Sequence, residues 1–121
     1  MSDPSATVQR DAEGRLRHLI TLDGLTGEEI TALLDLAQFY VRPLGDLPAR
    51  DQSLSGHTVA NLFFEPSTRT RVSFEIAAQR LGAEVVNLDM QTSSRVKGET
   101  VLDTIYTLQA MHADILVMRD A

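Results

Sequence analysis

The chain has 121 residues, 43% of them hydrophobic, with 11 basic and 17 acidic side chains and a net charge of -6. That length suits one domain with a buried core and is short for a two-domain enzyme. The acidic balance argues against nucleic-acid binding through bulk charge, and the lack of any cysteine excludes disulfides, thiolate metal sites and a cysteine nucleophile.

Residues 1–14 are polar and read as a flexible leader rather than a secretory signal, with the folded domain expected over 15–121. No apolar run approaches the roughly 20 residues that cross a bilayer, so a soluble, cytoplasmic protein without a membrane partner is expected. Thr26-Gly27-Glu28-Glu29 reads as a capping box, and Ile30, Leu33, Leu34, Ala37 and Val41 follow at helical spacing. Residues 42–56 hold Pro43, Gly45, Pro48 and Gly56 and read as a loop. Residues 58–64 are a short apolar run suited to a strand buried on both faces. Pro66 stops it, and Ser67 is placed to cap a helix running to Leu81, with Gly82 ending it and Phe74, Ala77, Ala78 and Leu81 as its apolar stripe. A second strand is expected over 84–89, a helix over 99–111 striped by Val101, Leu102, Ile105 and Leu108, and a third strand over 113–118. Strands alternating with helices in this way predict an α/β fold, a parallel sheet of βαβ units with flanking helices.

Charge is unevenly spread. Residues 67–97 hold Arg69, Arg71, Arg80, Arg95 and Lys97 against Glu75, Glu84 and Asp89, so this acidic chain has one locally positive stretch, suited to a small anion. Its centre is Ser67-Thr68-Arg69-Thr70-Arg71, between a predicted strand and a helix, where parallel sheets place ligands. A helix start exposes free amides and favours an anion, and three hydroxyls would add donors. Arg69 is the telling residue. A cation in the first turn opposes the helix dipole by about 0.3–1 kcal/mol, and Arg69 has no acid at i+3 or i+4, whereas Arg71 has Glu75. A bound phosphate reconciles the two features; a capped surface helix would account for the hydroxyls alone.

Ser93-Ser94-Arg95-Val96-Lys97-Gly98-Glu99 is a second constellation, containing the only lysine. It reads either as a loop opening a helix or as a mobile point charge for a site. Arg119 follows the third predicted strand on the same sheet edge as Ser67–Thr70, where it could converge on the anion or simply be exposed. His18, His57 and His112 have no metal-ligand spacing, and there is no glycine-rich phosphate loop, GxGxxG fingerprint or GxSxG elbow, so anion binding without metal or nucleotide is expected.

The stretches LFFEPSTRTRVSFEIAAQRLGAEVVNLD and SSRVKGETVLDT resemble the signatures of the carbamoyltransferases, and Phe64-Glu65-Pro66 with Lys97-Gly98-Glu99 is similar to the aspartate branch rather than the ornithine branch. The likeness runs from about Arg17 to Arg119. It implies that Ser67, Thr68, Arg69, Thr70 and Arg119 bind carbamoyl phosphate, with Arg69, Thr70 and Arg119 catalytic. It also implies that Ser93 and Lys97 are donated to a neighbouring subunit of a homotrimer. The implied substrates are carbamoyl phosphate and L-aspartate, in an early step of pyrimidine synthesis that uses no metal or organic cofactor. Family members carry a further, aspartate-binding domain, so this chain is expected to be an incomplete carbamoyl-phosphate domain, inactive alone. An anion-binding or interaction module without catalysis is the alternative of another class, and an ornithine-type carbamoyltransferase is a third reading.

Overall fold

In the computed structural model, Thr58–Phe63 forms β1, the central strand of a three-stranded parallel sheet ordered β2-β1-β3, with β2 at Glu84–Asp89 and β3 at Ile115–Arg119. The structure describes residues 7–90 and 101–119. Strand β1 is largely apolar because both its faces are covered; Val59, Ala60, Asn61, Leu62 and Phe63 are all buried. The expected α/β architecture is present.

Helix α1 spans Gly27–Phe39, α2 Thr68–Arg80 and α3 Val101–Ala110. Since β2 and β3 flank β1 on opposite sides, right-handed crossovers send α2 and α3 to opposite faces of the sheet. Leu108 of α3 joins Ala60, Leu62, Phe64 and Met90 in the core on one face. Removing the Leu62 side chain to alanine in such a core costs about 2–5 kcal/mol. Helix α2 packs on β1 and β2 over the other face. There Asn61, fully buried, donates from Nδ2 to Asn87 Oδ1 at 3.0 Å, while Asn61 Oδ1 has no hydrogen-bond partner among the described residues. An unpaired buried acceptor costs about 1–3 kcal/mol.

Several expectations change in detail. The buried line of α3 is Thr104 and Leu108 flanked by Val101 and Ile105, while Leu102 is 54% exposed. Spacings of three and four share a helix face, whereas neighbours such as Val101 and Leu102 diverge. In α2 only Ala78 is buried and Phe74 is half-exposed, because the helix seats on the sheet towards its C-terminal end and its first turns border an open hollow. The third strand begins two residues later than expected. Ala113 N still donates to Leu108 O, and His112, at φ 68°, makes the turn between them. Arg119 is therefore the last residue of β3 rather than a residue beyond it.

The chain divides into two compact units, Met1–Pro48 and Ala49–Ala121. In the first, both halves of the Thr26 capping box form: Glu29 N donates to Thr26 Oγ1 at 3.1 Å and Thr26 N to Glu29 Oε1 at 2.9 Å. The α1 stripe buries no residue in this unit, and Leu33, Leu34, Leu36 and Phe39 are exposed. Within the segment expected to be a leader, residues 7–14 make specific bonds. Gln9 is fully buried, its Oε1 accepting from the Ile20 and Thr21 amides. Arg10 pairs with both Glu29 oxygens at 2.7 and 2.8 Å.

Candidate functional site

The chain runs from β1 outward to β2 and then crosses back to β3 on the other side, so the order reverses between β1 and β3. Loops leaving the carboxyl ends of two such strands diverge and leave a crevice between them. Residues 64–67 leave β1 there, and Phe63 pairs with Arg119 at the matching end of β3. Phe64 N continues that pairing, donating to Arg119 O at 3.0 Å.

Ser67 holds the N-cap position of α2, but its side chain makes no capping bond. This corrects the expected role of its hydroxyl. Arg119 Nη1 donates to Ser67 Oγ at 2.9 Å and also to Thr70 Oγ1. Both hydroxyls act as acceptors towards Arg119, and each keeps its own O–H free to donate onward. The first turn of α2 contains no acidic residue, so no carboxylate of the turn itself meets its amides. An open hollow of about 810 Å³ lies here, lined by Ser67, Thr68, Arg69, Thr70, Ser73 and Arg119.

Five of the seven expected site residues, Ser67, Thr68, Arg69, Thr70 and Arg119, are therefore brought to one hollow. Arg119 lines the hollow together with Ser67 and Thr70 and is at the same time exposed. Arg69 is exposed, and its guanidinium makes no hydrogen bond or ion pair among the described residues; Ser73 Oγ donates to its carbonyl at 2.8 Å. The expected Arg71–Glu75 pair does not form, leaving two arginines at this helix start without an acidic partner among the described residues. Ser93 and Lys97 lie outside the described residues.

Glu65 was not singled out by residue spacing, yet its Oε1 accepts from Arg119 Nε at 2.7 Å. With Ser67 and Thr70 on Nη1, this carboxylate fixes the plane of the guanidinium. The clue in the sequence is that Glu65 leaves β1 at the same sheet edge where Arg119 ends β3.

A family model described as "Aspartate/ornithine carbamoyltransferase, carbamoyl-P binding domain" matches residues 17–121. The aspartate carbamoyltransferase catalytic subunit of Rhodospirillum rubrum is 52% identical over 105 residues, covering 87% of this chain and 33% of that protein. That of Acidiphilium cryptum is 54% identical over 103 residues, covering 85% and 33%. Among solved structures, the catalytic subunit of M. jannaschii aspartate transcarbamoylase superposes with a TM-score of 0.72 at 42% identity, covering 86% of this chain and 34% of that one. The Trypanosoma cruzi aspartate transcarbamoylase in complex with carbamoyl phosphate does so with a TM-score of 0.66 at 42% identity, covering 78% and 30%. The chain thus spans about a third of the length of these relatives. With the match over 17–121 and the hydroxyl–arginine hollow at the β1/β3 reversal, the chain belongs to the aspartate/ornithine carbamoyltransferase family, aligning with its carbamoyl-phosphate-binding domain.

Proposed function

We propose that this chain supplies the carbamoyl-phosphate site of an aspartate carbamoyltransferase, which transfers the carbamoyl group to L-aspartate and yields N-carbamoyl-L-aspartate and phosphate for pyrimidine synthesis. The observation that carries the reading is Arg119 seated on the Ser67 and Thr70 hydroxyls at the start of α2, beside an Arg69 that has no acidic partner among the described residues. In this reading the phosphate takes the α2 amides, the hydroxyl protons of Ser67, Thr68 and Thr70, and the Arg69 guanidinium. The carbamoyl carbonyl lies towards Thr70 and Arg119.

The reaction needs no covalent nucleophile. The aspartate amine attacks the carbamoyl carbon with its lone pair, and negative charge builds on the carbonyl oxygen. As the C–O bond to phosphate breaks, its electron pair leaves with the phosphate oxygen, and the nitrogen releases one proton. Donors and cations held in advance at those oxygens lower the barrier, typically by about 3–4 kcal/mol for a single oxyanion donor. Ser93 and Lys97, donated across a homotrimer interface in a cytoplasmic enzyme, complete the proposed site.

The test is a calorimetric titration of the chain with carbamoyl phosphate, beside Arg69→Ala. Saturable binding lost in the variant is expected. Binding that survives Arg69→Ala unchanged would place the anion elsewhere.

A further inference from the structure

The hydrophobic pattern of β1 does little to fix its alignment with β2. Both faces of β1 are buried, and most side chains from Val59 to Phe63 are apolar. Strand β2 offers Val85, Val86 and Leu88 against them. A one-residue slip would turn every side chain to the other face, which the helices resist. A two-residue slip keeps the faces: in one direction Glu84 would move opposite Ala60, Val85 opposite Asn61 and Val86 opposite Leu62, and in the other Leu88 opposite Ala60 and Asp89 opposite Asn61.

One pair changes character under that slip. Asn61 and Asn87 are register partners, and Asn61 Nδ2 donates to Asn87 Oδ1 at 3.0 Å. Slipping by two in either direction parts them and sets the fully buried Asn61 amide opposite Val85 or opposite the Asp89 carboxylate. In the observed register the pair still leaves Asn61 Oδ1 unsatisfied among the described residues. A fully buried amide that shares one hydrogen bond with the half-buried Asn87 contributes less to stability than an apolar side chain of similar size would, so stability does not account for the pair. Alignment does, much as one buried asparagine fixes register in a coiled coil.

We infer that Asn61 and Asn87 form a register lock between β1 and β2, a pair of positioning residues for the candidate site. What they position is on the page. Asn61 lies four residues before Glu65 and six before Ser67, and the far end of β2 is tied to the same place by Met90 N donating to Phe63 O at 3.0 Å. A two-residue slip would move the end of β2 by about 6.6 Å along the sheet relative to those residues. The chain leading on to Ser93 and Lys97 departs from that end. The inference concerns strand alignment and stands whether or not the anion is carbamoyl phosphate.

The test compares the chain with its Asn61→Val/Asn87→Val double variant by interstrand amide–Hα NOEs and by thermal melting. The parent is expected to show one set of contacts, with Thr58 opposite Glu84 and Leu62 opposite Leu88. The double variant is expected to melt no lower than the parent. It is also expected to show a second set of contacts displaced by two residues, or to move wholly to that set. A single set at the parent's register in the double variant would overturn the lock, as would two sets in the parent. A double variant that melts lower or does not fold would show instead that the pair serves stability. Asn61→Val alone, which leaves Asn87 without its donor, is expected to melt below both.

Discussion

Arg119 and Glu65 face each other across the β1/β3 crevice, with Arg119 Nε donating to Glu65 Oε1 at 2.7 Å while Nη1 rests on two hydroxyls of α2. The guanidinium is thus held at three points by protein groups alone. The arrangement has two opposing effects on an incoming anion. The carboxylate lowers the entropy lost in ordering a long side chain, and it also competes with the anion for the same positive charge.

Competition is expected to win in simple anion binding, because the pair is partly exposed and such pairs hold together by only about 0–1 kcal/mol. Glu65→Gln should tighten inorganic phosphate roughly two- to fivefold, the equivalent of about 0.4–1 kcal/mol. Titration of both proteins with phosphate at one ionic strength measures this. Weaker binding in the variant would mean that holding Arg119 in place matters more than its net charge.

Arg69 gives a prediction in which stability and binding part company. In the first turn of α2, with no partner among the described residues, it opposes the helix dipole. Replacing it by alanine removes that repulsion and improves helix propensity, so Arg69→Ala should melt at the same temperature or slightly higher, by up to about 1 kcal/mol of stability. Anion affinity should fall at least about tenfold, as expected for losing a charge-assisted hydrogen bond of about 1.5–3 kcal/mol. A variant that melts lower would assign Arg69 a structural role instead.

How much of this could be read in advance depended on how far apart the causes lie in the chain. The Thr26 capping box and the Gly82 helix stop are local chemistry, and both formed as the residues suggested. Strand–helix alternation gave the parallel sheet, and with it the shared edge that joined Arg119 to Ser67 and Thr70. The misses are long-range. Asn61 looks like an interruption in an apolar run until Asn87, 26 residues on, is seen beside it. Glu65 acquires its role only when Arg119 arrives from β3. For Thr104 and Leu102, periodicity supplied a stripe but not its phase, which packing on the sheet decided.

Gly82 offers a stability prediction at a single turn. It ends α2 with φ at 87°, a left-handed conformation that suits glycine, and a Cβ there would come within 2.7 Å of Gln52 Oε1. The oxygen is the end of a flexible side chain and can swing away, so the backbone sets most of the penalty. Gly82→Ala should cost about 1–2 kcal/mol, measured by denaturant unfolding, with anion binding unaffected in the folded fraction. A neutral result would mean that this turn relaxes to another conformation.

Glu29 and Asp114 are two of the three carboxylates among the described residues, with Asp11, that are held below their ordinary values and so shape the acid limb of stability. Glu29 is held down to about 2, first by the Arg10 hydrogen bond and then by the Thr26 amide. Asp114 also lies below the usual carboxylate range, first through His57, whose Nδ1 donates to it, and then through the Thr58 amide at 2.8 Å. A carboxyl whose folded value is depressed binds protons more readily in the unfolded chain. Its stabilisation is complete above the ordinary value, 4.5 for Glu29 and 3.8 for Asp114, and is lost as pH falls through the folded one. Melting temperature should therefore be insensitive to these two groups near neutrality and drop below about pH 4.5, the fall from Glu29 continuing towards pH 2. Glu29→Gln and Asp114→Asn should each lower the neutral melting temperature and flatten the acid limb, so that variant and parent curves converge at low pH. Parallel curves, offset by the same amount from pH 7 to pH 2, would show that the two side chains contribute through packing and not through their charge.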